Sequence, residues 1–373
     1  MNKNIAIFTL TSELHDPEAT NAVAREFLST INQDYELKGS DYSDYGSASL
    51  NLIYVRTGGT EGIFRRLLPE LQNKSSRPFY LLTSGKSNSL AASMEILSYL
   101  RQHNIQGEII HGSPEYITHR ICLLKKIEEA RRILNGARLG IIGQPSDWLI
   151  SSHADKEQVK TSLGIELIDI PMEAMYRNKD IYESLTSIIA EYQLQGFTLR
   201  CFDLLTTLKN TGCLALAKLN AEGFVAGCEG DVPAMLSMMI VRSILGISGF
   251  QANPSNINPD TGEMLFAHCT IPLDMVERYE LDTHFESGIG VGIRGYMKEG
   301  PVTIFKVSGD LSRHFIAEGT LVRNQAKPDL CRTQQVIQLA DRTLVQYFLT
   351  NPIGNHHIIM PGHQKELLEK ILM

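Results

Sequence analysis

Short apolar runs recur along the first part of the chain, beginning near Ile5, Asn51, Pro78, Glu108, Leu139, Ile165, Phe197 and Phe224. Helical stretches separate them, and after the first gap each interval is close to one strand–helix unit. That alternation predicts parallel sheets covered by helices. From Asn88 to His103, Leu90, Met94, Leu97 and Leu100 recur on one helical face behind an Asn88-Ser89 start signal. A long charged helix is predicted from Pro114 to Leu134, closed by Asn135-Gly136. Strand Leu139–Ile142 follows at once, which places a domain boundary there. The second series closes on a helix from Val232 to Leu245, stopped by Gly246.

Beyond Gly246 the pattern changes. Pro, Asn, Gly and Thr punctuate short β-like runs such as Thr303–Val307, and helical periodicity fades until Gln334. Two late helices are expected, Gln334–Phe348 and Gln364–Leu372. The partition is therefore an α/β domain over 1–136, a second over 137–247 and a β-rich domain over 248–373. A chain of 373 residues is long for one core, which agrees with two or three domains.

Charge narrows the partners. The net charge is −7, and the basic pairs Lys125-Lys126 and Arg131-Arg132 lie on the solvated face of a helix. A nucleic-acid partner is not expected. No window reaches the ~20 apolar residues of a membrane span, and the first residues lack a signal-peptide core, so a cytoplasmic protein without membrane contact is expected. Six cysteines, at 122, 201, 213, 228, 269 and 331, have no CxxC spacing and read as reduced thiols.

Several glycine motifs do not survive inspection. Gly290-Val-Gly292-Ile-Arg-Gly295 fits a dinucleotide fingerprint by letter, but β-like sequence follows where a helix is required. Gly85-Lys86-Ser87 resembles a P-loop end, yet Tyr80 stands where its first glycine belongs. Gly58-Gly59-Thr60-Glu61-Gly62 reads as a tight turn between strand and helix, although its amides have the placement to hold an anion or a sugar hydroxyl. Ser84 through Ser89 reads the same way.

The chemistry gathers around Phe224-Val-Ala-Gly-Cys-Glu-Gly-Asp-Val-Pro. A strand ends at Glu229 and a helix opens near Pro233, and ligands bind at that edge of parallel sheets. Asp231 suits the helix cap, with Pro233 in the first turn. Glu229 has no such structural duty, and a carboxylate after an apolar strand needs a partner to offset its desolvation. His268 stands inside the apolar run Phe266-Ala-His-Cys-Thr270, and His356, His357 and His363 fall within nine residues. Strand alternation turns only one of His356 and His357 into any given site. Carboxylate with imidazole suits Mn²⁺, Fe²⁺, Zn²⁺ or Co²⁺.

With its Met-rich helix, the following Phe250-Gln-Ala-Asn253-Pro, the Ala267-His268-Cys269 segment and the Asn355-His356…His363 run, this segment resembles the L-fucose/L-arabinose isomerase superfamily. The resemblance covers mainly Phe197–Pro272 and Asn351–His363. It implies two Rossmann-like α/β domains followed by a β-barrel-like domain, and aldose–ketose isomerisation of a carbohydrate with a divalent metal. Mn²⁺ is the usual metal, with Mg²⁺, Co²⁺ or Zn²⁺ as alternatives. It also implies a homo-oligomer, trimer or hexamer, whose pocket a neighbouring subunit completes. Residue by residue, Glu229 matches a metal ligand that is also an acid/base, His356 the C-terminal ligand, and His268 a ligand of the arabinose branch. Asn253 stands where a second acidic ligand is expected; an amide oxygen ligates a hard cation but accepts no proton. Glu229 then acts alone or recruits Asp231, Glu286 or a histidine, and Glu286 shares a face with His284 if Thr283–Ser287 is a strand.

Two other readings fit the same residues: a sugar-binding or regulatory homologue without catalysis, and another metal-assisted reaction such as epimerisation or retro-aldol cleavage. Trp148, Arg294, Arg313 and Arg332 are candidates for specificity. If two or more of those arginines line the pocket, an anionic sugar such as an acid, phosphate or sulfonate is expected.

Overall fold

The computed structural model describes residues 4–372. It divides into two compact units, Met1–Arg132 and Ile133–Met373.

The first unit is a parallel sheet with helices. Its strands are β1 (Ile5–Leu10), β2 (Glu36–Gly39), β3 (Leu50–Val55), β4 (Phe79–Thr83) and β5 (Gly107–Ile110), in the order β2-β1-β3-β4-β5. Helices α1 (Pro17–Ser29), α2 (Glu61–Lys74), α3 (Ser89–Gln102) and α4 (Pro114–Leu134) connect and follow them. Every residue of β1, β3 and β4 is buried, as expected of parallel strands covered on both faces. Strand β2 is absent from the sequence reading because it is four residues long, polar and only partly buried at the sheet edge. Helices α3 and α4 lie where the periodicity puts them, but Asn88 gives no side-chain cap and sits in the left-handed region at φ +57°.

The second unit joins a parallel sheet to a barrel. The sheet is β7-β6-β8-β9, from β6 (Arg138–Ile142), β7 (Glu166–Ile170), β8 (Gly196–Leu199) and β9 (Val225–Cys228). With it run α5 (Lys156–Leu163), α6 (Ile181–Tyr192), α7 (Asp203–Thr207), α8 (Cys213–Ala221) and α9 (Val232–Leu245). The barrel strands are β10 (Phe250–Asn258), β11 (Glu263–His268), β14 (Gly300–Val307), β15 (His314–Gln325), β16 (Thr333–Leu339) and β17 (His357–Pro361), with β12 (Arg278–Asp282) and β13 (Gly292–Tyr296) paired beside them. The barrel closes in the order β10-β11-β16-β15-β14-β17, all neighbours antiparallel. Short helices α10 (Val345–Thr350) and α11 (Lys365–Leu372) complete the chain. The expected barrel-like architecture is present.

Helix α9 explains its own composition. It packs on β8 and β9 of the sheet and on β10, β14 and β17 of the barrel, so apolar residues surround its whole circumference. One expectation is overturned: Gln334–Phe348 is not one helix. Its first half is β16, paired with β11 and β15, and only Val345–Thr350 is α-helical. The segment Thr283–Ser287 forms a turn, not a strand. Gly290 precedes β13 at φ +62°, where a Cβ would meet Thr211 at 2.6 Å, so that motif is a packed turn without a following helix. All six cysteines are free thiols, as the spacing implied. Among the described residues no helix is long and apolar enough to cross a membrane.

Candidate metal centre

Glu229 follows β9 at the C-terminal edge of the parallel sheet, with its backbone in the left-handed region at φ +64°. The turn is locked from three sides. Ser146 N–H donates to the Glu229 carbonyl at 2.9 Å, and Gly230 N–H donates to Leu199 O at 3.0 Å. Gly230 itself lies at φ +72°, and a Cβ there would collide with the Gln144 carbonyl. Since β9 is an edge strand, the Gln251 amide of β10 satisfies Cys228, accepting from its N–H at 2.9 Å and donating to its carbonyl at 3.2 Å. Glycine after Glu229 and glutamine at 251 are thus structural requirements of the site.

The barrel supplies two imidazoles. His268 closes β11 and His356 immediately precedes β17. Their Nε2 atoms lie 3.4 and 3.5 Å from Glu229 Oε1, and neither has a hydrogen-bond partner although both are buried. The rings face each other edge-on with centroids 5.2 Å apart. One donor atom from each of Glu229, His268 and His356 lies within 4.8 Å of the others. Two buried, unpartnered nitrogens converging on one carboxylate oxygen fit a divalent cation held between them.

The far side of each imidazole is fixed. His356 Nδ1 lies 2.9 Å from Asp231 Oδ2, and His268 Nδ1 lies 3.0 Å from the Thr270 hydroxyl. Asp231 also caps α9, its Oδ1 accepting from Ala234 N–H at 2.8 Å, and both its oxygens face the buried ammonium of Lys306 at 3.3–3.4 Å. Such outer partners set which ring nitrogen carries the proton and turn the other toward the metal. Lys306 and Thr270 were not singled out in the sequence. A lysine inside Thr303–Val307 and a hydroxyl two positions after His268 were the available signals.

The charges are strongly coupled. Burial pushes the Glu229 carboxyl up, but the neighbouring His356 and His268 outweigh it and hold it well below the usual range. Asp231 is pushed up by burial and pulled down further by Lys306 and His356, to about 2. Burial lowers His356, yet Glu229 and Asp231 raise it to about 9. Both carboxylates are therefore anionic.

The remaining predicted residues lie as follows. Glu286 is in the turn after β12, with Oε2 3.9 Å from His284 Nε2; burial, then the Glu229 charge, raises its carboxyl. Asn253 Oδ1 accepts from Asn355 at 3.0 Å. His357 spends its nitrogens on the Tyr347 hydroxyl and the Asn355 carbonyl, both at 2.9 Å, and is not part of the Glu229 cluster. The His363 ring lies near Gly319 O at 3.4 Å. Trp148 is at the centre, donating its indole N–H to Glu229 Oε2 at 2.8 Å. Arg294 and Arg332 both engage Asp282, at 2.7 and 3.5 Å, so their charges are committed within the chain, whereas Arg313 donates to the neutral Asn351 amide at 2.8 Å.

No family model matches the chain. It is similar to the sulfoquinovose isomerases of Priestia aryabhattai and Priestia megaterium, 22% identical over 262 residues in each. Those alignments cover 59% of this chain and 59% of each relative. A third sulfoquinovose isomerase, from a Clostridium species, is 25% identical over 134 residues, 35% of this chain and 29% of that protein. The chain thus spans less than two-thirds of the length of the relatives it matches. These homologues belong to the L-fucose/L-arabinose isomerase superfamily, in agreement with the resemblance carried by the Glu229 and His356 segments.

Proposed function

We propose that the chain is a divalent-metal-dependent aldose–ketose isomerase acting on a sugar or modified sugar. One observation carries the reading: the unpartnered Nε2 atoms of His268 and His356 converge on Glu229 Oε1 at a sheet edge where ligands bind. The named substrate of the relatives makes a sulfonated hexose the first compound to test. Mn²⁺ is the first metal to test, and Asn253 Oδ1 keeps a second lone pair for a hard cation.

When bound, the cation supplies polarisation of the sugar carbonyl and adjacent hydroxyl oxygens. Glu229, anionic beside both imidazoles, is the base that takes the proton from the carbon next to the carbonyl and returns it to the neighbouring carbon. Glu286, shifted the opposite way, retains a proton to higher pH and serves the hydroxyl oxygens. Asp231 holds His356 in orientation and does not reach the sugar. The pocket is completed by a second copy of the chain, and light scattering that returns a monomer removes this part of the proposal.

Metal analysis with Glu229→Gln as control, followed by NMR of deuterium incorporation at C2 of aldoses in D₂O, tests the reading. Absence of Mn²⁺, Co²⁺ or Zn²⁺ binding at micromolar concentration sinks it. A second reading, a sugar-binding homologue without catalysis, draws on the neutral Asn253. It predicts metal and sugar binding without exchange.

A further inference from the structure

Trp148 is the sole tryptophan of the chain. Its ring is half open, 52% exposed, yet its N–H is spent on the buried Glu229 carboxylate. This pairing is built into the loop. Besides the Ser146–Glu229 bond, Arg200 Nη1 donates to the Pro145 carbonyl at 2.6 Å, and Leu149 N–H donates to Ser146 O at 2.8 Å. The indole packs edge-on against Phe202 with centroids 4.8 Å apart, and Phe202 packs likewise on His284 at 5.7 Å. Backbone, guanidinium and aromatic contacts therefore hold the indole in place.

We propose that Trp148 is the positioning residue for Glu229: its N–H holds Oε2, which turns Oε1 toward His268 and His356. A carboxylate with one oxygen tied down has a single free oxygen to share between cation and proton transfer. Without the donor, the side chain rotates about its last bond and the two oxygens exchange roles. The consequence for metal binding rests on the isomerase reading above, whereas the geometry of the trio does not.

Because Trp148 is unique, replacing tryptophan with its benzothienyl analogue exchanges N–H for sulfur at this position alone and keeps the ring. Three readouts follow, on the full chain. In metal-free protein, Glu229→Ala changes the tryptophan emission, and the analogue moves the imidazole nitrogen NMR signals of His268 and His356. Calorimetric titration with MnCl₂ gives an affinity about 10- to 100-fold weaker in the analogue, the loss expected of one hydrogen bond to a charged group. Trp148→Phe, which also removes the donor, gives a loss of similar size and guards against a misfolded analogue. Unchanged emission in Glu229→Ala, unmoved imidazole signals, or Mn²⁺ affinity within about twofold of wild type overturns the proposal. Emission and imidazole changes together with no Mn²⁺ binding by the wild type support the positioning role and sink only the isomerase reading.

Discussion

Asp231 joins three groups at once: the α9 amide at Ala234, His356 Nδ1 and the Lys306 ammonium. Lys306 is 1% exposed and Asp231 fully buried, so each charge depends on the other. Burial lowers the Lys306 pKa while Asp231 opposes it. Lys306→Met leaves Asp231 with the His356 imidazole alone against its buried charge, and a destabilisation of up to about 3–5 kcal/mol is expected by urea denaturation. Asp231→Asn keeps a cap acceptor but weakens the hold on His356, and a titration should give Mn²⁺ affinity lower by about 10- to 100-fold. Glu286→Gln should lower turnover by about 100- to 10,000-fold in the D₂O exchange assay, with little change in metal affinity. At this scale the sequence was legible where a residue type conflicts with its surroundings. Glu229 after an apolar strand and His268 inside one both stood out, and Lys306 in Thr303–Val307 carried the same signal. Trp148 gave no such sign as a partner of Glu229, since the two are 81 positions apart and meet through a loop.

The element that makes the site is the turn from β9 into α9. Glycine at 230 is required twice, by φ +72° and by the Gln144 carbonyl where a Cβ would stand. Gly230→Ala is expected to cost at least about 1–3 kcal/mol in thermal or urea unfolding, from left-handed backbone strain alone. It should also displace Glu229 and weaken Mn²⁺ binding, whereas Asp180→Ala, which removes the cap of α6, costs about 1 kcal/mol and leaves metal affinity intact. Helices α3, α4 and α9 were readable because their periodicity, the Gly136 and Gly246 stops and the Asp231 cap of α9 are local. Strand β16 was not: Gln334, Gln335 and Gln338 favour helix intrinsically, and pairing with β11 and β15 overrides that preference.

Across the whole molecule, the three candidate ligands come from three separate segments of the second unit, one on the parallel sheet and two on the barrel. A cation that binds them ties the barrel to the sheet in the folded state only. At a Mn²⁺ concentration about 100 times Kd, the gain is about 2.7 kcal/mol. For a unit of this size that raises Tm by about 5–11 °C in calorimetry, and Glu229→Gln should abolish the rise. What the sequence determined alone was the alternation of strands and helices before Gly246, β2 apart, the parallel character of the first two sheets, and the strand edge where Glu229 stands. Those follow from periodicity, turn residues and caps, each set by neighbours a few positions away. The tertiary structure decided which imidazoles face Glu229, what holds them there, and that Arg294 and Arg332 spend their charge on Asp282. His356 reaches Asp231 across 125 positions of chain, and only the closure of the barrel brings such groups into contact.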